Sequence, residues 1–184
     1  MENGASSYRR FLDGDDSGFV ELVREYRDGL ILYLSSFTGD IYLAEELAED
    51  TFVKLGIKKP RFSGRSSFRT WLYAIGRNAA IDSLRREAGR RTEPIDENAG
   101  AADMESLESS YIRQEEKIAV HRAMAHLKAE YRQVLWLTYF EGFSNRETAR
   151  IMKRSVHGTE TLLYRARQSL KRLLETEGHF DEDL

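Results

Sequence analysis

The stretch Ser144-Asn145-Arg146-Glu147-Thr148-Ala149-Arg150-Ile151-Met152-Lys153-Arg154-Ser155-Val156-His157-Gly158-Thr159-Glu160-Thr161-Leu162-Leu163-Tyr164-Arg165-Ala166-Arg167 carries the reading that decides the fold. Ser144 and Glu147 have the Ser-x-x-Glu form of a capping box, in which a hydroxyl and a carboxylate satisfy free N–H groups at a helix start. Ala149, Ile151 and Met152 follow as the apolar side of a short helix, which breaks at Lys153-Arg154. Ser155 is a second cap candidate, and Leu163, Ala166, Leu170, Leu173 and Leu174 recur at the three- and four-residue steps of a longer helix. Short helix, tight turn and longer helix make a helix-turn-helix, whose second helix enters the major groove of DNA. Residues 146 to 172 hold 8 Lys/Arg against 2 acids, which supports that reading. On pattern alone, a helical pair that merely packs stays open.

Working toward the N-terminus, Glu141-Gly142-Phe143 reads as a turn, preceded by a helix with Val134, Leu135, Leu137, Thr138 and Tyr139 inward. Another helix begins near Ile112 and carries Ile118, Met124 (or Ala125) and Leu127 on one side. From Thr92 to about Ser110 the periodicity disappears, and Pro94, Gly100, small residues and acids take over. That segment reads as a flexible acidic linker, which avoids phosphates rather than binding them.

Before it lies Lys58-Lys59-Pro60-Arg61-Phe62-Ser63-Gly64-Arg65-Ser66-Ser67-Phe68-Arg69-Thr70-Trp71-Leu72-Tyr73, with five Lys/Arg and no acid. Pro60, Gly64 and the serines break any helix before Phe68 starts a new one. A basic loop feeding an aromatic-rich helix suits unstacked bases, because cations neutralise phosphate while aromatic faces and small polar groups meet the bases. In the helix that follows, Phe68, Trp71, Leu72, Ile75, Ala79 and Leu84 mark the inner side and Arg69, Arg77, Arg85 and Arg86 the outer one. Trp71 sits three residues from Phe68 on the apolar stripe and reads as core.

Two further helices precede the loop. The first starts at Asp15-Asp16-Ser17 and runs through Phe19, Leu22, Val23, Tyr26, Leu30, Tyr33, Leu34 and Phe37. After Gly39-Asp40, the second turns Ala44, Leu47, Ala48, Thr51, Phe52 and Leu55 inward and Glu45, Glu46, Glu49, Asp50 and Lys54 outward. Four acids on one short helix are either an ordinary solvated face or a docking face for a basic protein surface.

The composition agrees with an all-α protein of two small helical units. The 184 residues are 41% hydrophobic, enough for one or two small cores. A net charge of -3 conceals segregation: -8 over residues 1 to 53, +9 over 54 to 91, -5 over 92 to 113 and +1 over 114 to 184. There are no cysteines, so disulfides and thiolate metal sites are excluded, in keeping with a reducing cytoplasm. No apolar run reaches the length of a membrane span, and the polar N-terminus lacks the apolar core of a signal peptide. The chain therefore reads as cytoplasmic. No P-loop, His-Glu-x-x-His or Gly-x-Ser-x-Gly is present, and no catalytic residue, metal site or cofactor is expected. His121 and His126 are five apart, off the step that aligns two ligands on one helical face.

Together these motifs resemble a known family. Ala44 through Leu55, then Phe62-Ser63-Gly64-Arg65-Ser66-Ser67-Phe68-Arg69-Thr70-Trp71 through Asn78, are similar to region two of bacterial sigma factors of the extracytoplasmic-function group. Tyr131-Arg132-Gln133-Val134 through Glu141-Gly142-Phe143-Ser144 and on to Tyr164-Arg165-Ala166-Arg167 resemble their region four. The resemblance implies a non-catalytic subunit that binds core RNA polymerase and promoter DNA, and it admits an anti-sigma partner. It divides the chain into a region-two-like domain at 1–91, a linker at 92–113 and a region-four-like domain with an acidic tail at 114–184.

Carried over by position, Glu45, Glu46, Glu49, Asp50 and Lys54 would dock core polymerase. Arg61, Phe62, Ser63, Gly64, Arg65, Ser66, Ser67, Arg69, Arg77, Asn78, Arg85 and Arg86 would meet the minus-ten element. Arg146, Ser155, His157, Thr159, Thr161, Tyr164, Arg165 and Arg167 would meet the minus-thirty-five element, with His157, Thr159, Thr161 and Tyr164 exposed. The linker would run through the polymerase. The sequence departs from the family pattern at Gly56, where an aromatic is usual, at Lys128, where a proline is common, and at Glu160 and Leu162, where basic residues are common. A stand-alone helix-turn-helix regulator would explain residues 114 to 184 but not the acidic helix beside the basic loop. A protein-binding helical adaptor would leave the basic excess of residues 54 to 91 unexplained.

Overall fold

The computed structural model describes residues 3–90 and 120–176. The linker expected over 92–113, the helix start at Ile112 and Ile118, and the tail beyond Thr176 lie outside those residues. The described elements are helical: α1 (Asn3–Leu12), α2 (Asp16–Thr38), α3 (Ile41–Lys58), α4 (Phe68–Arg90), α5 described over residues 120–125, α6 (Ala129–Leu135), a π-helical turn (Trp136–Phe140), α7 (Asn145–Met152) and α8 (Val156–Thr176).

Local chemistry sets the helix ends. Asp15 caps α2 by accepting from the Ser17 N–H, and Gly39 ends it in the left-handed region at φ 72°. Asp40 then caps α3 through the N–H groups of Tyr42 and Leu43. These carboxylates satisfy donors that the first helical turn leaves free and complement its positive dipole end. Ser67 does the same for α4, accepting from the Thr70 N–H at 3.1 Å.

Helices α2, α3 and α4 pack around Leu22, Leu30, Leu34, Phe68 and Leu72, all fully buried. The six α3 residues expected inward are all buried. Each large aliphatic side chain so placed contributes about 1.5–3 kcal/mol. The sequence pattern gave no sign of α1, whose Tyr8 and Phe11 join this core. The Tyr8 hydroxyl donates to the Pro60 carbonyl at 2.6 Å, so α1 also holds the start of the basic loop. Burial pushes that phenol up to about 12. Close approach of α1 to α2 requires Gly18, where an added Cβ would lie 2.3 Å from the Ser7 carbonyl oxygen.

In the second half, Val134, Leu135, Leu137, Ile151, Met152, Leu162 and Ala166 are buried. They continue the core of the first half without a break. The capping box at Ser144 and Glu147 is present, and Lys153 ends α7 in the left-handed region at φ 54°. Ser155 accepts from the Gly158 N–H at 3.0 Å and so caps α8. One inward expectation needs correcting. Tyr139 is 57% exposed, because the π-helical turn adds a residue to its turn and rotates Tyr139 away from the stripe that Val134 and Leu135 define. In α8 Leu163 packs partly against the core as expected, and Leu162, which the inner stripe left out, is buried beside it.

Candidate nucleic-acid and protein interfaces

The acidic face of α3 forms because its opposite side is consumed by the core. Glu46, Glu49, Asp50 and Lys54 are exposed, and Glu45 is half-buried. Arg27 of α2 lies 4.0 Å from Glu45 and 3.7 Å from Glu49, leaving the face negative overall. Beside it runs an apolar groove of about 530 Å³ between α2 and α3, lined by Phe19, Val23, Phe52, Val53, Gly56 and Ile57. Val53 and Ile57 are 52% and 78% exposed. The sequence reading passed over this groove, although two apolar residues four apart on a charged face were its signal.

The basic loop between α3 and α4 presents Arg61, Ser63, Gly64 and Arg65 to solvent, with Ser66 and Ser67 half-buried. Gly64 takes φ 69°, a conformation that favours glycine. Phe62 turns back onto Phe68 and Trp71, with ring centroids 5.6 and 5.2 Å away. Trp71 is half-buried within that aromatic cluster, which agrees with its reading as core.

Along α4, Arg85 and Arg86 are exposed as expected and Asn78 is half-buried. Arg69 and Arg77 are not on an open surface. Arg69 pairs with the Glu141 carboxylate and donates to the Glu141 carbonyl at 2.8 Å. Arg77 donates through Nε to Oε1 of Gln133 at 2.7 Å. Burial lowers the Arg77 pKa from its ordinary value. The helical period alone predicts which side of α4 is polar, not that the second half of the chain packs on part of that side.

On the helix-turn-helix, Arg146, Ser155, His157, Tyr164, Arg165 and Arg167 are exposed and Thr161 is half-buried. Thr159, expected exposed, is fully buried. It lies three residues before Leu162 on the inner stripe of α8, and its hydroxyl donates to the Ser155 carbonyl at 3.0 Å. Glu160 is exposed among these residues and makes no ion pair among the described residues. Among the described residues no group of His, Asp and Glu could hold a metal ion, and no helix is long and apolar enough to cross a membrane.

A helical unit with an acidic face and a basic loop, followed by a helix-turn-helix, is the layout of a two-part transcription factor. Residues 22–90 match the model of Sigma-70 region 2, and residues 117–170 that of Sigma-70, region 4. The chain is 31% identical to the RNA polymerase sigma-H factor of Pseudomonas aeruginosa, covering 95% of each protein. It is also 31% identical to the ECF RNA polymerase sigma factor SigM of Bacillus subtilis, over 83% of this chain and 93% of the relative. Its fold resembles CnrH, solved with the cytosolic domain of CnrY, at a TM-score of 0.64 and 24% identity over 95% of this chain and 96% of the other. It likewise resembles RpoE of Bartonella quintana, solved with the anti-sigma factor NepR, at 0.66 and 23% over 85% and 96%. The chain belongs to the RNA polymerase sigma factors of the extracytoplasmic-function group.

Proposed function

We propose that this sigma factor docks core RNA polymerase through the acidic face of α3 and reads promoter DNA with two separate surfaces. Glu45, Glu46, Glu49, Asp50 and Lys54 meet the polymerase. The loop from Arg61 to Ser67, with Asn78, Arg85, Arg86 and, once uncovered, Arg69 and Arg77, engages the minus-ten element. Extruding a base there costs on the order of a few kcal/mol, which the loop contacts offset. Residues Arg146, Ser155, His157, Thr161, Tyr164, Arg165 and Arg167 engage the minus-thirty-five element. The domains divide as 1–91 and 114–184. The protein works in the cytoplasm, without catalysis of its own, and family membership supports control by an anti-sigma factor.

The observation that carries this reading is the exposed acidic face of α3, only lightly compensated by Arg27, next to an exposed basic loop. A DNA-binding surface alone would gain nothing from that acidic neighbour, whereas a basic surface of the polymerase would. Binding of purified core polymerase to the wild type and to the Glu49→Lys, Asp50→Lys double variant tests it. Loss of most of the affinity in the variant is expected. Equal binding by both would exclude α3 as the docking face.

A further inference from the structure

The buried side of α8 fixes which residues its outer side presents. Thr159, Leu162 and Ala166 are buried, so with 3.6 residues per turn the opposite side carries Val156, His157, Glu160, Thr161 and Tyr164. All of these are exposed except Thr161, which is half-buried and donates its hydroxyl to the His157 carbonyl at 3.0 Å. Glu160 is the only Asp, Glu, Lys or Arg from Val156 to Tyr164. The basic residues of the helix begin at Arg165, and on the side of Glu160 the first is Arg167, about 10 Å further along the axis. Three and four residues from Glu160 stand Val156, His157, Leu163 and Tyr164, so no lysine or arginine reaches it along the helix. Its side chain makes neither a hydrogen bond nor an ion pair among the described residues.

A recognition helix meets base edges with its N-terminal residues, and there a carboxylate is repelled by every phosphate and gains only where a donor meets it. Guanine presents two acceptors in the major groove, and thymine an acceptor and a methyl group. Adenine offers its amine beside the acceptor N7, which repels the second carboxylate oxygen. Cytosine offers its N4 amine with no acceptor beside it on the same ring. We infer that Glu160 reads a cytosine in the upstream element by accepting from that amine. The inference rests on the proposed assignment of α8 to the minus-thirty-five element, and it supplies a base contact from a residue which that assignment leaves out. Glu160 then selects mainly by rejection, since guanine or thymine at that position sets an acceptor against an unpaired carboxylate.

The test is a selection by holoenzyme, assembled from core polymerase and the full chain, on a promoter fragment that it transcribes, with the base pairs around minus thirty-five randomised. The wild type should enrich cytosine at one position on one strand. Glu160→Ala should abolish the preference at that position and leave the others as they were. Glu160→Gln, whose amide both donates and accepts, should move the same position to adenine. On single fragments, changing the selected cytosine to thymine, with its partner, should weaken wild-type binding by roughly 5- to 150-fold and the Glu160→Ala variant by far less. Glu160 is exposed and makes no polar contact among the described residues, so both variants should keep the fold. Unchanged base preferences in Glu160→Ala would overturn the inference. So would tighter binding of every sequence with the same preferences, because the carboxylate would then face phosphate. A wild-type holoenzyme that selects no base at any upstream position would instead overturn the assignment of α8 to that element.

Discussion

Replacing Arg132 with methionine should remove a buried polar pin between the two halves of the protein. Arg132 is 5% exposed and, among the described residues, has no carboxylate partner. Its Nε donates to the Ser36 carbonyl at 2.8 Å and Nη2 to the Phe37 carbonyl at 3.5 Å, both in the last turn of α2. Its Nη1 donates to the carbonyls of Ala125 and Leu127 at 3.1 and 2.5 Å, where α5 ends. The buried cation is thus balanced by the negative ends of two helix dipoles and by carbonyls that no helix bond satisfies. Burial still lowers the pKa of the guanidinium from its ordinary value.

Methionine keeps the length of the stem and deletes every donor. Up to four carbonyls then lose a charged partner, each unsatisfied group costing about 1–3 kcal/mol unless water reaches it. Water would reach some of them, and relief of the buried charge offsets part of the loss, giving a net of roughly 3–5 kcal/mol. For a chain of this size that is a fall in melting temperature of roughly 6–20 °C. Urea and thermal unfolding of the full chain, followed by circular dichroism, measure it. Lysine, a point charge with three donors that cannot span both helix ends, should fall between. A loss below about 1 kcal/mol, the worth of an ordinary exposed hydrogen bond, would refute the reasoning.

Gly18→Ala should cost roughly 1–3 kcal/mol in urea unfolding, because the new Cβ presses against the backbone of α1 at Ser7 and Phe11; a neutral result would mean that α1 moves aside freely. Burial pushes the Glu147 carboxyl up, but hydrogen bonds from the Ser144 hydroxyl and N–H and from Thr70 outweigh it and hold its pKa below the usual 4.5. A pKa depressed by folding means stability that is present above about pH 4.5 and disappears as pH falls through the folded value. The penalty of Glu147→Gln should therefore be largest at neutral pH and shrink in acid, and a penalty independent of pH would contradict this. Arg165→Ala, on the exposed side of α8, should lower the salt dependence of promoter binding by about one counterion while leaving folding intact.

Most of the helical layout was legible because it follows from local rules. The caps at Asp15, Asp40 and Ser144 and the inner stripe of α3 depend on residues within a turn or two of one another. Helix α1 was not legible, because its ten residues gain their place through distant partners: Tyr8 against Phe68 and the Pro60 carbonyl, and Ser7 against Glu21. The outward turn of Tyr139 depends on a π-helical step that hydrophobic periodicity does not encode. At the candidate interfaces, the sequence separated acidic from basic surfaces correctly but treated each polar residue as facing solvent. Arg69 and Glu141 are 72 residues apart and Arg77 and Gln133 are 56 apart, so nothing in a local pattern pairs them.

Run-off transcription with purified core polymerase on promoter fragments from the protein's own genome tests the central claim most directly. Transcripts from defined start sites should appear only when this protein is added, and should vanish with the Glu49→Lys, Asp50→Lys variant. Core polymerase that gains no promoter-specific transcription from the folded wild-type protein, on fragments it demonstrably binds, would contradict the account.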